Sequence, residues 1–111
     1  MLESQTKRGI GIIGVKFIAY EKMPPIINRV FAGTPAAKAG LQPNDAIVAV
    51  DGVPTYGLRK EECYDLIVGT PNTPVTLSIR RGTSFSVYTM TRMDHTELTS
   101  PSIRRAYGID L

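Results

Sequence analysis

Sulfur chemistry is scarce in this sequence. Cys63 is its one cysteine, so no internal disulfide can form and no framework of paired thiols shapes the fold. One histidine, His95, added to that cysteine falls short of the four ligands of a usual zinc site. No apolar run approaches the roughly 20 residues that a helix needs to cross a bilayer. Met1 to Arg8 carries no apolar stretch of signal-peptide type, so membrane insertion is not expected and no address is visible. Charge of one sign is also scarce: 13 basic against 10 acidic residues leave +3. The basic pairs Lys7-Arg8, Arg80-Arg81 and Arg104-Arg105 are scattered, whereas a nucleic-acid binder concentrates them on one face. No internal repeat is present. What remains is 111 residues, 42% of them apolar, enough for one packed domain.

Gly9 to Tyr20 is rich in β-branched and aromatic residues and reads as a glycine turn running into a strand. Met23-Pro24-Pro25 breaks it, and Ile26 to Phe31 forms a second strand. Thr34 is placed to cap a short helix whose first position suits Pro35, with Gly40 ending it in the left-handed conformation. Asp45 to Val50 is a third strand closed by the Asp51-Gly52 turn. Leu58 to Val68 reads as the longest helix, stopped by Gly69 and Pro71. Two strands, Val75 to Arg80 and Phe85 to Met90, follow around Gly82. Residues 93–111 show no sustained period, and Thr99-Ser100-Pro101-Ser102 reads as a linker.

Gly9-Ile10-Gly11-Ile12-Ile13-Gly14 matches the G-x-G-x-x-G dinucleotide fingerprint letter for letter. That fingerprint needs a strand before it and a helix after it, so that pyrophosphate rests on the helix N-terminus. Here a polar segment precedes and a β-rich run follows, so no cofactor is expected. Glycine also permits close backbone approach, which lets successive N–H groups converge on an anion. A loop of that kind opening into a strand can hold a peptide's terminal carboxylate while the strand edge pairs with the rest. Taken alone, the stretch reads equally well as an ordinary glycine-rich turn.

Gly9-Ile10-Gly11-Ile12 resembles the Gly-Φ-Gly-Φ carboxylate-binding loop of PDZ domains. Gly33 to Leu41, followed by Asp45, Ile47, Val50, Asp51 and Gly52, resembles the G-x-P-A-x-x-A-G-L…G-D-x-I…Φ-x-G stretch of the same family. Asn44 stands where that family usually has glycine, and Asn tolerates the left-handed region next best. On the long helix, Lys60, Tyr64 and Ile67 form one stripe, with Cys63 and Leu66 on an adjoining stripe better suited to the core. In the family the first stripe is one wall of the peptide groove; without the two motifs, all five residues read as core or surface. The resemblance covers about residues 7–92 and is similar in strand order to the permuted PDZ domains of bacterial carboxy-terminal processing proteases. It implies an α+β fold: a small, partly open β-barrel or sandwich of five to six strands, capped by one short and one longer helix.

The function implied is capture of extended segments or free C-termini by strand addition, regulating or delivering substrate to a protease. Site residues would be Gly9, Ile10, Gly11, Ile12, Ile13, Gly14, Lys60, Tyr64 and Ile67, and partners would be protein or peptide C-termini with an aliphatic last residue. The protease resemblance also implies an extracytoplasmic compartment. The alternative is a structural spacer or adaptor whose groove is closed or self-occupied. Ile109-Asp110-Leu111 has the alternate aliphatic spacing of an added strand, so self-association through residues 93–111 is one form of that alternative. Catalysis is not expected. Asp94-His95 has no G-x-S-x-G serine, Asp51-Gly52-Val53 is not an aspartic-protease motif, and Cys63 reads as a small buried hydrophobe.

Overall fold

The computed structural model describes residues 9–98 and 100–107. The first apolar stretch makes two strands rather than one. β1 (Gly11–Ile12) and β2 (Val15–Ile18) are separated by Ile13 and by Gly14, whose φ of +91° turns the chain. β3 (Ile26–Val30), β4 (Ala46–Val50), β5 (Val53–Pro54), β6 (Pro74–Arg81) and β7 (Ser84–Thr91) complete an antiparallel sheet. Its order is β2-β3-β4-β6-β7, with β5 paired to β4. β8 (Met93–Asp94) turns away to pair with β1, Gly11 opposite Asp94 and Ile12 opposite Met93. The helices are α1 (Pro35–Ala39), α2 (Lys60–Ile67) and α3 (Pro101–Tyr107), with a 3-10 turn at His95–Glu97. This α+β arrangement of an antiparallel sheet with few helices is the class that the sequence motifs imply.

Local chemistry explains the boundaries. Thr34 Oγ1 accepts from Ala37 N–H, Pro35 sits in the first helical turn, and Gly40 ends α1 at φ +91°. Asn44 takes φ +75°, the left-handed position at which the family motif has glycine. Asp51 and Gly52 lie at +49° and +80° and reverse the chain from β4 into β5. Along β6, Val75, Leu77 and Ile79 alternate inward onto a core that includes Phe17, Ile27, Leu41, Ile47, Cys63 and Ile67. Burial pushes the Cys63 thiol up, with Glu62 adding to the shift, so it is no ready nucleophile.

One ion pair is built into this body. Arg81 grips the buried Asp45 carboxylate with two bonds, Nε–Oδ1 2.8 Å and Nη2–Oδ2 2.7 Å, and Gln42 N–H donates to the same group at 2.9 Å. Burial alone would raise the Asp45 pKa; the Arg81 and Gln42 bonds outweigh it and hold the carboxyl below its ordinary range. The stability this contributes is present above the ordinary aspartate pKa, and it is lost as pH falls through the lowered folded value.

The folded body runs past residue 92, where the sequence reading ends it. β8 belongs to a sheet, Leu98 is buried, and residues 101–107 form α3 where a linker is read. A two-residue strand has too few positions to show a period, which is why the segment looks structureless in sequence. Ile109, Asp110 and Leu111 lie outside the described residues.

Candidate functional site

β2 is an edge strand, paired on one side with β3. Gly14 C=O accepts from Phe31 N–H at 2.9 Å, which makes residue 14 a bonded position. Alternation along the strand then turns Lys16 toward β3 and the backbone groups of Val15 and Phe17 toward the open edge. The side chains of Val15 and Phe17 are buried, while those of Lys16 and Ile18 are exposed. α2 stands on this side of the sheet: Lys60 Nζ lies 5.7 Å from the centre of the Phe17 ring. Ile13, Val15, Phe17, Cys63 and Ile67 belong to one packed cluster. The helix thus stands beside the open edge.

The N–H groups at its head divide into two sets. Ile10 N–H donates to His95 Nδ1 at 2.8 Å. Gly11 N–H donates to Gly69 C=O at 2.7 Å, and Gly69 N–H returns a bond to Gly11 C=O at 3.1 Å. Neither Gly9 nor Gly11 has a positive φ. Both are needed for close approach instead: a Cβ on Gly9 would overlap the Asp94 carboxylate, and one on Gly11 would lie 2.7 Å from Gly69 O. Asp94 itself is held below its ordinary range by bonds from Thr96 N–H and hydroxyl, with a smaller contribution from His95. By contrast, among the described residues Ile13 N–H and Gly14 N–H donate to no partner, although their carbonyls accept from Ala36 and Phe31. The Ile10, Gly11 and Ile12 N–H groups therefore do not converge as the sequence motif implies: the first two are spent on β8 and on the end of α2. The unspent pair lies three residues on.

The other named residues are brought together unevenly. Lys60, Tyr64 and Ile67 do share one stripe of α2; Lys60 is exposed, Tyr64 is 38% exposed and Ile67 is 3% exposed. Ile10, at 44%, points into solvent, and Ile12 is buried but stands outside the cluster that holds Ile13, Val15 and Ile67. Two contributors have no place in the sequence reading. Val15 heads the open edge. Arg92 is buried and donates to Ile67 O at 2.8 Å, Thr73 Oγ1 at 2.9 Å and Pro74 O at 3.1 Å, so it ties the last turn of α2 to the start of β6. Its one sequence signal is a lone arginine directly after an uncharged strand.

Among the described residues, two of the better-formed cavities flank this body. One, of about 490 Å³, is lined by Ala19 to Lys22 and by Gly57 to Lys60, where β2 ends and α2 begins. The other, about 560 Å³, lies between α1 and the β7–β8 segment, around Pro35, Lys38, Met90 and Glu97.

A family model of the PDZ domain matches residues 26–81, just over half of the chain. The chain belongs to the PDZ domain family. The carboxyl-terminal-processing protease of Synechocystis sp. is 50% identical over 48 residues, which cover 43% of this chain and 11% of that protein. The carboxy-terminal-processing protease of Bartonella bacilliformis is 31% identical over 80 residues, 72% of this chain and 18% of that one. The chain thus spans under a fifth of these proteases. Among solved structures, the PDZ domain of the carboxy-terminal protease from Vibrio cholerae, in complex with peptide, matches with a TM-score of 0.66 at 28% identity. That match covers 77% of this chain and 94% of that domain. A PDZ domain is a binding module, and this one resembles those that accompany proteases.

Proposed function

We propose that this PDZ domain captures an extended peptide with a free C-terminus, adding it as a strand to the open edge of β2 with α2 as the opposite wall. The single observation that carries this reading is the pair of unspent N–H groups, Ile13 and Gly14, at the head of that edge. They are the donors for the terminal carboxylate, and the outward N–H of Val15 is the third. Gly9, Ile10, Gly11 and Ile12 then act as the brace that holds this turn against β8 and Gly69. The last ligand side chain enters among Ile13, Val15 and Ile67 beneath Tyr64, so an aliphatic residue such as Val, Leu or Ala is expected there. Lys60, beside Phe17, favours an acidic residue third from the end.

The role is non-catalytic. Cys63 is buried with a raised pKa, and His95 Nδ1 is already occupied by Ile10 N–H. Likeness to protease-borne PDZ domains favours regulation of a protease, or delivery of substrate to one, in a longer protein. A charged hydrogen bond is worth about 1.5–3 kcal/mol. Amidating the C-terminus of a bound peptide should therefore weaken binding tenfold or more by fluorescence anisotropy. Equal affinity for acid and amide would sink the carboxylate site.

A closed groove is the second reading, and one observation favours it: Ile13, Val15 and Ile67 are 0%, 6% and 3% exposed. A spacer domain gives no C-terminal consensus from a peptide library. A binding domain gives one.

A further inference from the structure

A cavity begins where β2 stops. On the strand-addition reading above, on which this inference rests, the ligand runs antiparallel to β2 with its last residue at Val15. Bonded positions recur every second residue, so the third-from-last residue stands opposite Phe17 and the fifth-from-last opposite Ala19. Side chains at the last, third-from-last and fifth-from-last positions share one face of the added strand. Lys60 beside Phe17 marks that face as the one turned toward α2. The fifth-from-last side chain therefore arrives at the 490 Å³ cavity between Ala19–Lys22 and Gly57–Lys60.

The charge of that cavity is one-sided. Lys22, Arg59 and Lys60 line it against a single acid, Glu21. Glu62 lies 3.6 Å from Arg59 Nε, yet the Arg59 side chain is still 79% exposed. Lys22 sits in the turn after β2 at φ +58°, on the opposite side of the cavity from α2. Cations thus approach one ligand position from both walls. From this geometry we infer that the cavity is an upstream subsite for an acidic residue, Asp or Glu, at the fifth position from the ligand's C-terminus. The favoured partner is a C-terminal tail of at least five residues with an anionic side chain there and an aliphatic end.

The test uses seven-residue peptides with a free carboxyl and a terminal Val, differing only at the fifth-from-last residue. Fluorescence anisotropy at low salt should rank Glu above Ala above Lys, with steps of about two- to fivefold, as exposed ion pairs give. High salt should compress the series. The same exchange at the fourth-from-last residue, whose side chain points away from α2, should change little. A double variant, Lys22→Glu with Arg59→Gln, should erase the Glu advantage while leaving the affinity of a four-residue peptide unchanged; that short peptide also reports that the variant is folded. Equal affinities across the series would overturn the subsite, as would a best aromatic residue, or an equal charge effect at the fourth-from-last position, which marks diffuse attraction to a chain of net charge +3. In those cases the short peptide still binds and the groove reading stands. If neither short nor long peptides bind, the groove reading falls and the subsite falls with it.

Discussion

The two edges of the sheet, β2 and β7, differ in length, in charge and in the backbone donors at their head. β2 is four residues long, has α2 beside it, and begins at two unspent N–H groups. β7 is eight residues long and pairs with β6 residue for residue, without a bulge. It carries no charge and exposes Phe85 and Val87 at 69% and 66%. Both edges offer unpaired backbone groups to any passing strand. On the proposed reading, α2 is the wall that reads side chains along the first, and the N–H groups at its head are the donors that read a chain end. Selectivity on an edge comes from what stands next to it.

If that is right, the largest effect comes from loosening the wall. Arg92 is buried among carbonyls of α2 and β6, and Arg92→Met leaves Ile67 O and Pro74 O without their donor. The expected cost is about 2–4 kcal/mol, since each buried acceptor left unpaired costs about 1–3 kcal/mol. Urea unfolding measures it, and peptide affinity should fall in parallel as α2 shifts. A variant within 0.5 kcal/mol of the parent would show that packing alone places the wall.

Next comes the head of the edge. Gly14 combines φ +91° with a position where a Cβ would overlap the Thr34 side chain. Gly14→Val forces a β-branched residue into that conformation, at an expected cost of about 1–3 kcal/mol, with loss of peptide binding. A folded Gly14→Val protein that binds an acid-ended peptide with unchanged affinity would remove this turn from the site.

These two residues also mark where the sequence was legible. The stretch from Gly33 to Gly52 could be read position by position, because each signal there is local: Thr34 caps, Gly40 and Asn44 take positive φ, and Asp51-Gly52 turns. Ile67 and the stripe of Lys60 and Tyr64 were legible from helical spacing. The glycine run was legible as a turn running into a strand, but which of its N–H groups stay free was not. Gly9, Gly11 and Gly14 look alike in sequence, yet the first two are small because Asp94 and Gly69 press on them, and only the third turns the chain. Asp94 and Gly69 are 85 and 58 residues away from Gly9 and Gly11, and no local pattern encodes such contacts. Arg92 was invisible for the same reason: Ile67, Thr73 and Pro74 lie 18 to 25 residues back in the chain, and two of these three partners are carbonyls, which every residue has.

A smaller effect is expected at Lys60. Its ammonium lies over the Phe17 ring and is exposed, so Lys60→Ala should cost under about 1 kcal/mol of affinity, and only for ligands acidic at the third-from-last residue. The difference should vanish at high salt. A peptide array in which the acidic preference survives the substitution would assign it to another cation.

The smallest effect on binding belongs to β7, and it tests the contrast from the other side. Val87→Lys puts a charge on the exposed face of an edge that otherwise has none, the device by which natural sheets discourage strand-to-strand association. Val87 is two-thirds exposed and makes no part of the core, so stability should stay within about 0.5 kcal/mol. Peptide affinity should not move, because the ligand adds to β2 at the opposite end of the strand order. What should change is behaviour at high protein concentration, where light scattering during a thermal ramp should rise later for the variant than for the parent. A weakened peptide isotherm for Val87→Lys would mean that ligands pair with β7 as well. The groove beside α2 would then be one docking edge of two, and the wall would no longer explain the selectivity.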